Sequence, residues 1–248
     1  MRSITAFTAL TFDCYGTLID WERGILDALE RWRRRAGLPV TDDELLEAFA
    51  QAEAQAERET PFRLYPQILE AALGGMAAGW SVRLDADDAH AFGESVGRWP
   101  PFPDSAPALE YLQQHYKLVV VSNVDHASFA ETGRQLGVRF DLVVTAQDVG
   151  TYKPDPRTFE YALDKIRRTL GVEPPEILHT AQSLFHDIVP ATALGLATCW
   201  IDRRRGRPGA GATPAIPGGD RIRPDFEAGS LAELVAMHQE EITRGGRR

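Results

Sequence analysis

Five short apolar runs punctuate the chain: TALTF (8–12), KLVVVSN (117–123), FDLVVTA (140–146), EILHTAQ (176–182) and ATCWID (197–202). Each is rich in Val, Ile, Leu or Thr and too short for a typical helix, which predicts a strand buried on both faces. Helical patterns separate the later runs: SAPALEYLQQHY, ASFAETGRQLG, PRTFEYALDKIRRTLG and IVPATALG. Parallel strands need a crossover long enough to hold a helix, so this alternation dictates a parallel sheet with helices on both faces. The third helical pattern starts after Pro156, a favoured first-turn residue, and stops at Gly171, a good C-cap.

The expected fold class is therefore α/β, a Rossmann-like parallel sheet with an insertion. Residues 21–100 break the alternation. WERGILDALERWRRRAG, TDDELLEAFAQAEAQAER and PFRLYPQILEAALGGMAAGW read as amphipathic helices with no good strand among them. Thr41 to Glu44 carries capping chemistry. WPPFPD (99–104) is a proline-stiffened return. The expected division is a core of residues 1–20 and 101–248 and a helical domain of 21–100. Residues 205–214 read as a flexible loop by composition.

A length of 248 residues with 44% hydrophobic residues suffices for one large core, or for a core plus a smaller satellite domain. The net charge of -9 argues against nucleic acid as the main partner. The basic clusters Arg31–Arg35 and Arg203–Arg207 read as solvated faces or loop ends. The two cysteines, Cys14 and Cys199, lie in strand-like contexts and read as buried thiols, not a disulfide. Met1 to Leu10 lacks the apolar stretch of a signal peptide, and no apolar run of about 18 residues occurs. The expectation is a cytoplasmic, soluble protein with no membrane partner.

Ligands bind an open parallel sheet at the carboxyl ends of its strands. The polar residues expected there are Asp13, Ser122 with Asn123, Lys153, and the stretch Gln182 to Asp187. Each alone is ordinary: an aspartate at a strand end is commonly a turn residue, and a lysine before proline is commonly solvated. Together they aim a nucleophile, hydroxyl and amide donors, a cation and a second acid at one rim.

With these residues the chain resembles the haloacid dehalogenase superfamily. Its four motifs look like Asp-Cys-Tyr-Gly-Thr-Leu (13–18), Val-Ser-Asn (121–123), Tyr-Lys-Pro-Asp-Pro (152–156) and Ala-Gln-Ser-Leu-Phe-His-Asp (181–187). The likeness spans nearly the whole chain, and the helical insertion would be the cap. The first motif is similar to that of the type II, or L-2-haloacid, dehalogenases, with Tyr15 where phosphatases of the superfamily carry a second Asp. That acid protonates a leaving alkoxide; a halide needs no proton. A haloacid also carries one negative charge where a phosphate carries about two, so a fixed lysine can answer it without metal.

The resemblance implies hydrolysis of short 2-haloacids or haloacetates to 2-hydroxy acids through an ester on Asp13, with no metal and no cofactor. The alternative is an Mg²⁺-dependent phosphatase. By the same resemblance Lys153 would keep Asp13 ionised, and Thr17 and Ser122 would donate to Asp13 and to the substrate carboxylate. Asn123 would help hold halide, Tyr15 would line an apolar slot, and Asp187 would hold Lys153 and orient water. Three departures stand out. Phe159 takes the place of a family tyrosine. The fourth motif, seemingly one residue longer, leaves its polar work to Gln182, Ser183 and His186. The cap arginine that grips substrate has no clear match, Arg63 being the first candidate and Arg58 the second. Trp21, Phe62, Tyr65 and Trp99 are candidates for the walls of the slot, although aromatic residues at a domain seam are more often plain packing. The expected partner is a small anionic haloacid, with a homodimer through the cap or a sheet-flanking helix as the plausible assembly.

Overall fold

The computed structural model describes residues 2–59, 62–207, 209, 211–214, 216 and 222–245. All five expected strands form: β1 (Ala9–Phe12), β2 (Lys117–Ser122), β3 (Leu142–Thr145), β4 (Ile177–Ala181) and β5 (Ala197–Ile201). A sixth, β6 (Phe226–Ala228), joins them in a parallel sheet of order β3-β2-β1-β4-β5-β6. The order reverses beside β1, which pairs β2 on one side and β4 on the other. That switch point opens a crevice at the carboxyl end of β1, where Asp13 follows Phe12.

Four helices fill the insertion after β1: α1 (Trp21–Arg35), α2 (Asp42–Arg58), α3 (Tyr65–Gly79) and α4 (Ala86–Gly93). The Thr41–Glu44 capping box starts α2. The sequence reading has three helices here. It misses α4, whose eight residues are too few to show a clear period. The chain leaves the sheet and returns to it at one place. Asp20 donates its N–H to the Pro100 carbonyl at 2.8 Å, and Ile19 bridges to Pro101.

The remaining helices cover the sheet: α5 (Ser105–Leu112), α6 (His126–Leu136), α7 (Ala146–Val149), α8 (Pro156–Leu170), α9 (Val189–Ala193) and α10 (Leu231–Gly245). Pro156 opens α8, and Gly171 ends it at φ 68°. The residues of β1 and β4 are wholly buried, as expected for strands covered on both faces. Both cysteines are buried and free. Among the described residues no helix is long and apolar enough to cross a membrane.

Two readings of the sequence need correction. Arg203 and Arg204 are not solvated loop ends. Arg203 has a side chain only 9% exposed and grips Asp104 through two bonds of 2.8 and 2.9 Å. It also donates to the Thr17 carbonyl at 2.8 Å and lies over the Phe102 ring. Asp104 in turn accepts the Leu231 and Ala232 N–H groups at the start of α10. Arg204 pairs with Glu22 on α1 and Asp43 on α2. A run of arginines reads as surface because composition cannot show which carboxylates fold back onto it.

The stretch 205–214 is also more anchored than its composition suggests, although Pro208 and Ala210 lie outside the described residues. Ala212 is buried and donates its N–H to Glu22, and Thr213 donates its hydroxyl to Gln182. Because Arg203 ties the loop after β1 to the last helix, Arg203→Ala should leave Asp104 short of its counterion. The expected cost is about 3 kcal/mol, the low end for breaking a buried pair because Asp104 keeps some solvent. Chemical denaturation would show it as a lower midpoint at unchanged slope.

Candidate active site

The loop after β1 is wound tightly enough to aim Asp13. The Cys14 carbonyl accepts the N–H groups of Leu18 at 2.7 Å and Ile19 at 3.0 Å. Gly16 sits at φ 91°, in the region that favours glycine, and a Cβ there would stand 3.0 Å from Gln182 Oε1 and Trp21 Nε1. Thr17 closes the loop. Its hydroxyl donates to Asp13 Oδ2 at 2.7 Å and accepts the Gln182 N–H at 2.9 Å.

Lys153 lies behind Asp13, fully buried. Its ammonium donates to Asp13 Oδ1 at 2.9 Å, Asp187 Oδ1 at 2.6 Å and the Val121 carbonyl at 2.9 Å. All three of its protons are thereby used. Burial works against the lysine charge, but the two carboxylates more than offset it and hold Lys153 above the usual value. Burial likewise pushes Asp13 up, opposed by Lys153 and Thr17. Asp187 is also desolvated, yet Lys153 and His179 keep it below the ordinary aspartate value.

His179, on β4, approaches Asp187 Oδ1 to 3.1 Å through Nε2 and bonds Thr11 through Nδ1. It was missed in the sequence because a histidine inside an apolar run reads as core. Phe159 packs edge-on against it, so the position lacking the family tyrosine supports the histidine ring instead.

The fourth motif ends in a single π-helical turn, Leu184–Ile188. Such a turn absorbs an extra residue and is frequent at functional sites. It buries His186 and Asp187. Ser183 Oγ accepts the His186 N–H at 2.9 Å and lies 3.2 Å from Nδ1. Donation by that hydroxyl satisfies both groups and places the ring proton on Nε2, which has no protein partner. Burial pushes His186 down to about 4, so it is neutral at ordinary pH.

The structure brings Asp13, Tyr15, Ser122, Asn123, Lys153, Gln182, Ser183, His186 and Asp187 to one cavity, which Trp21 and Tyr65 help to wall. Tyr15 stacks on Tyr65 and meets Trp99 edge-on, and its hydroxyl bonds Thr132 of α6 at 2.8 Å. Phe62 packs on Tyr152, away from the cavity.

Two of the expected residues are engaged elsewhere. Arg63 does not reach the cavity; its guanidinium pairs with Glu59, and Arg58 donates to the Ala54 carbonyl. The Asn123 amide, expected to help hold halide, has protein partners. Its two amide hydrogens go to Glu57 Oε1 at 3.1 Å and the Lys153 carbonyl at 3.0 Å, while its oxygen takes the Lys153 N–H. In the arginine's place the inserted helices contribute Glu53 and Glu57, one turn apart on α2. Glu53 falls on the buried stripe of Leu46, Phe49 and Ala50, so an acid on the apolar face of an amphipathic helix was the signal available in the sequence.

Residues 7–180 match the family described as haloacid dehalogenase-like hydrolase. The chain belongs to that family. It is a hydrolase with the family's parallel sheet and helical insertion. It is 25% identical over 210 residues to an (S)-2-haloacid dehalogenase of Pseudomonas putida, covering 79% of this chain and 85% of the relative. It is also 29% identical over 187 residues to a phosphoserine phosphatase of Thermus thermophilus, covering 73% and 67%. The solved L-2-haloacid dehalogenase PA0810 shares the fold at a TM-score of 0.74 and 24% identity, over 96% of this chain and 99% of that one.

Proposed function

We propose that this hydrolase cleaves carbon–halogen bonds in short 2-halo compounds through an ester on Asp13, with the inserted helices 21–100 as its cap. The 2-haloacids named for its relatives are the reference substrates. The observation that carries the reading is Tyr15. The position two residues after the nucleophile holds no acid, and the tyrosine there is spent on Thr132 and an aromatic wall. Burial raises the Tyr15 hydroxyl well above its usual value, so it is a poor proton donor. A halide leaves without one.

Each step falls to a residue in place. Asp13 attacks the halogen-bearing carbon in line, and the halide departs with the bonding pair. Lys153 keeps Asp13 ionised, and Thr17 fixes its orientation. Water then adds to the Asp13 carbonyl carbon, oriented by Asp187 Oδ2, a buried oxygen with no protein partner. The intermediate collapses to free Asp13 and a 2-hydroxy product. The balance is halide, alcohol and one proton from substrate and water.

The donors here fit Mg²⁺ poorly. Asp13 is committed to Lys153 and Thr17, and among the described residues no group of three or more His, Cys, Asp or Glu side chains could hold a metal ion. No step is routed through a metal. Halide release from haloacetates and 2-haloacids should persist in EDTA, and a generic phosphoester should yield no phosphate. Brisk Mg²⁺-dependent phosphate release without any halide would replace this reading with that of the phosphatase relatives. Tyr15→Asp should lower halide release, because a second carboxylate beside Asp13 raises the pKa of one of the pair and repels anions. An unchanged rate from chloroacetate would contradict the role given to Tyr15.

A further inference from the structure

The cavity over Asp13 offers an anion little. Lys153 is the only lysine or arginine on its described lining, and its protons are all engaged. Opposite stand Glu53, 3% exposed, and Glu57, whose side chain is 6% exposed. Tyr65 donates its hydroxyl to Glu53, and Asn123 donates to Glu57 Oε1. Glu57 Oε2 lies 3.9 Å from His186 Nε2, too far for a hydrogen bond. A substrate carboxylate would meet these acids in a poorly solvated pocket, with no free cation to offset them.

Two buried donors on the same lining point to what does fit. Ser122 is 0% exposed and its Oγ has no partner, nor has the buried Nε2 of His186, a residue 8% exposed. The wall thus sets unused donors beside carboxyl oxygens. A primary carboxamide carries both complements, a carbonyl that accepts and N–H groups that donate; a carboxylate carries acceptors alone.

We infer that the non-reacting end of the substrate is a carboxamide, its N–H groups accepted by Glu57 and Glu53 and its carbonyl held by Ser122 and His186. This deepens the carbon–halogen reading and rests on it. A 2-haloamide keeps the activating carbonyl, and the balance becomes 2-haloamide plus water to 2-hydroxyamide, halide and a proton. Burial supports an amide over an ammonium ion. It pushes Glu53 up to about 7 and, with the charge of Glu53, holds Glu57 well above the ordinary value, so the pair keeps only part of its charge, less than an ammonium ion calls for but still opposed to a further anion.

The test pairs binding with turnover. Calorimetry with the unreactive propionamide and propionate reads the distal group alone, and halide release from 2-chloroacetamide and chloroacetate reads the reaction. The amide should win both by at least about tenfold, since a site built around hydrogen-bond partners rejects an analogue that leaves them unpaired. Glu57→Gln should narrow that ratio about fivefold or more by removing the acid that disfavours carboxylate. Cooperative unfolding would confirm that the variant folds; if it does not, the wild-type ratios decide alone. Propionate bound as tightly as propionamide, or no binding of either, overturns the carboxamide. Preferential propionamide binding with no halide from any compound leaves the distal-group inference standing and sinks the carbon–halogen reading instead.

Discussion

Asp13→Asn should release no measurable halide and should unfold close to the wild-type midpoint. An amide oxygen is a far poorer nucleophile than a carboxylate, and no other described carboxyl group takes its position: Asp187 is tied to Lys153 and His179 behind Asp13, and Glu53 and Glu57 line the cavity from α2 with bonds to Tyr65 and Asn123. The asparagine nearly preserves the shape of the side chain, although its one oxygen can accept from Lys153 or from Thr17 and not from both as Asp13 does, so packing around β1 should survive at a small cost. Substrate should still bind, and the loss should fall on kcat. Normal turnover, once deamidation back to aspartate has been excluded by mass, would remove Asp13 from the mechanism.

Lys153→Met should be nearly as damaging and should also weaken the fold. The methionine fills most of the volume but leaves two buried carboxylates facing each other without a counterion. One of them must then take a proton, and a protonated Asp13 does not attack carbon. Loss of a buried electrostatic anchor of this kind is expected to cost about a thousandfold in turnover. Breaking the pair should also cost about 3–5 kcal/mol of stability. The two readouts separate the roles. A stability loss with turnover reduced less than about tenfold, roughly 1.4 kcal/mol on the barrier, would make Lys153 a structural counterion only.

The fold and half of the site were legible in the sequence for one reason. Buried parallel strands must be continuous apolar runs, and their carboxyl ends must then carry the chemistry. That logic locates Asp13, Ser122, Lys153 and Asp187 before any coordinates exist. β6 escaped it because three residues, Phe226–Ala228, are too few to show a pattern. α10 was missed with it, since it follows a stretch with no strand signal. Arg203 escaped because an arginine run looks like surface until Asp104 and the Thr17 carbonyl are brought to it.

The cap side of the site was the least legible. The resemblance calls for a cap arginine, for which the sequence offers only Arg63 and Arg58 as candidates, while the residues of α2 that face the cavity are Glu53 and Glu57, hidden in an alanine-rich helix. Helical periodicity shows which positions share a face, but not which of two domains that face meets. The tertiary fold alone decides that Glu57 meets Asn123 and His186.

The central claim is that Asp13 itself is alkylated and then hydrolysed. A single turnover in water enriched in oxygen-18, with enzyme in excess over a 2-halo substrate, tests it directly. If water attacks the Asp13 carbonyl, the first product carries an unlabelled oxygen taken from the enzyme, and the peptide containing Asp13 gains the label. A labelled product with an unlabelled Asp13 peptide would mean that water attacks the substrate carbon itself, and the ester mechanism would be wrong.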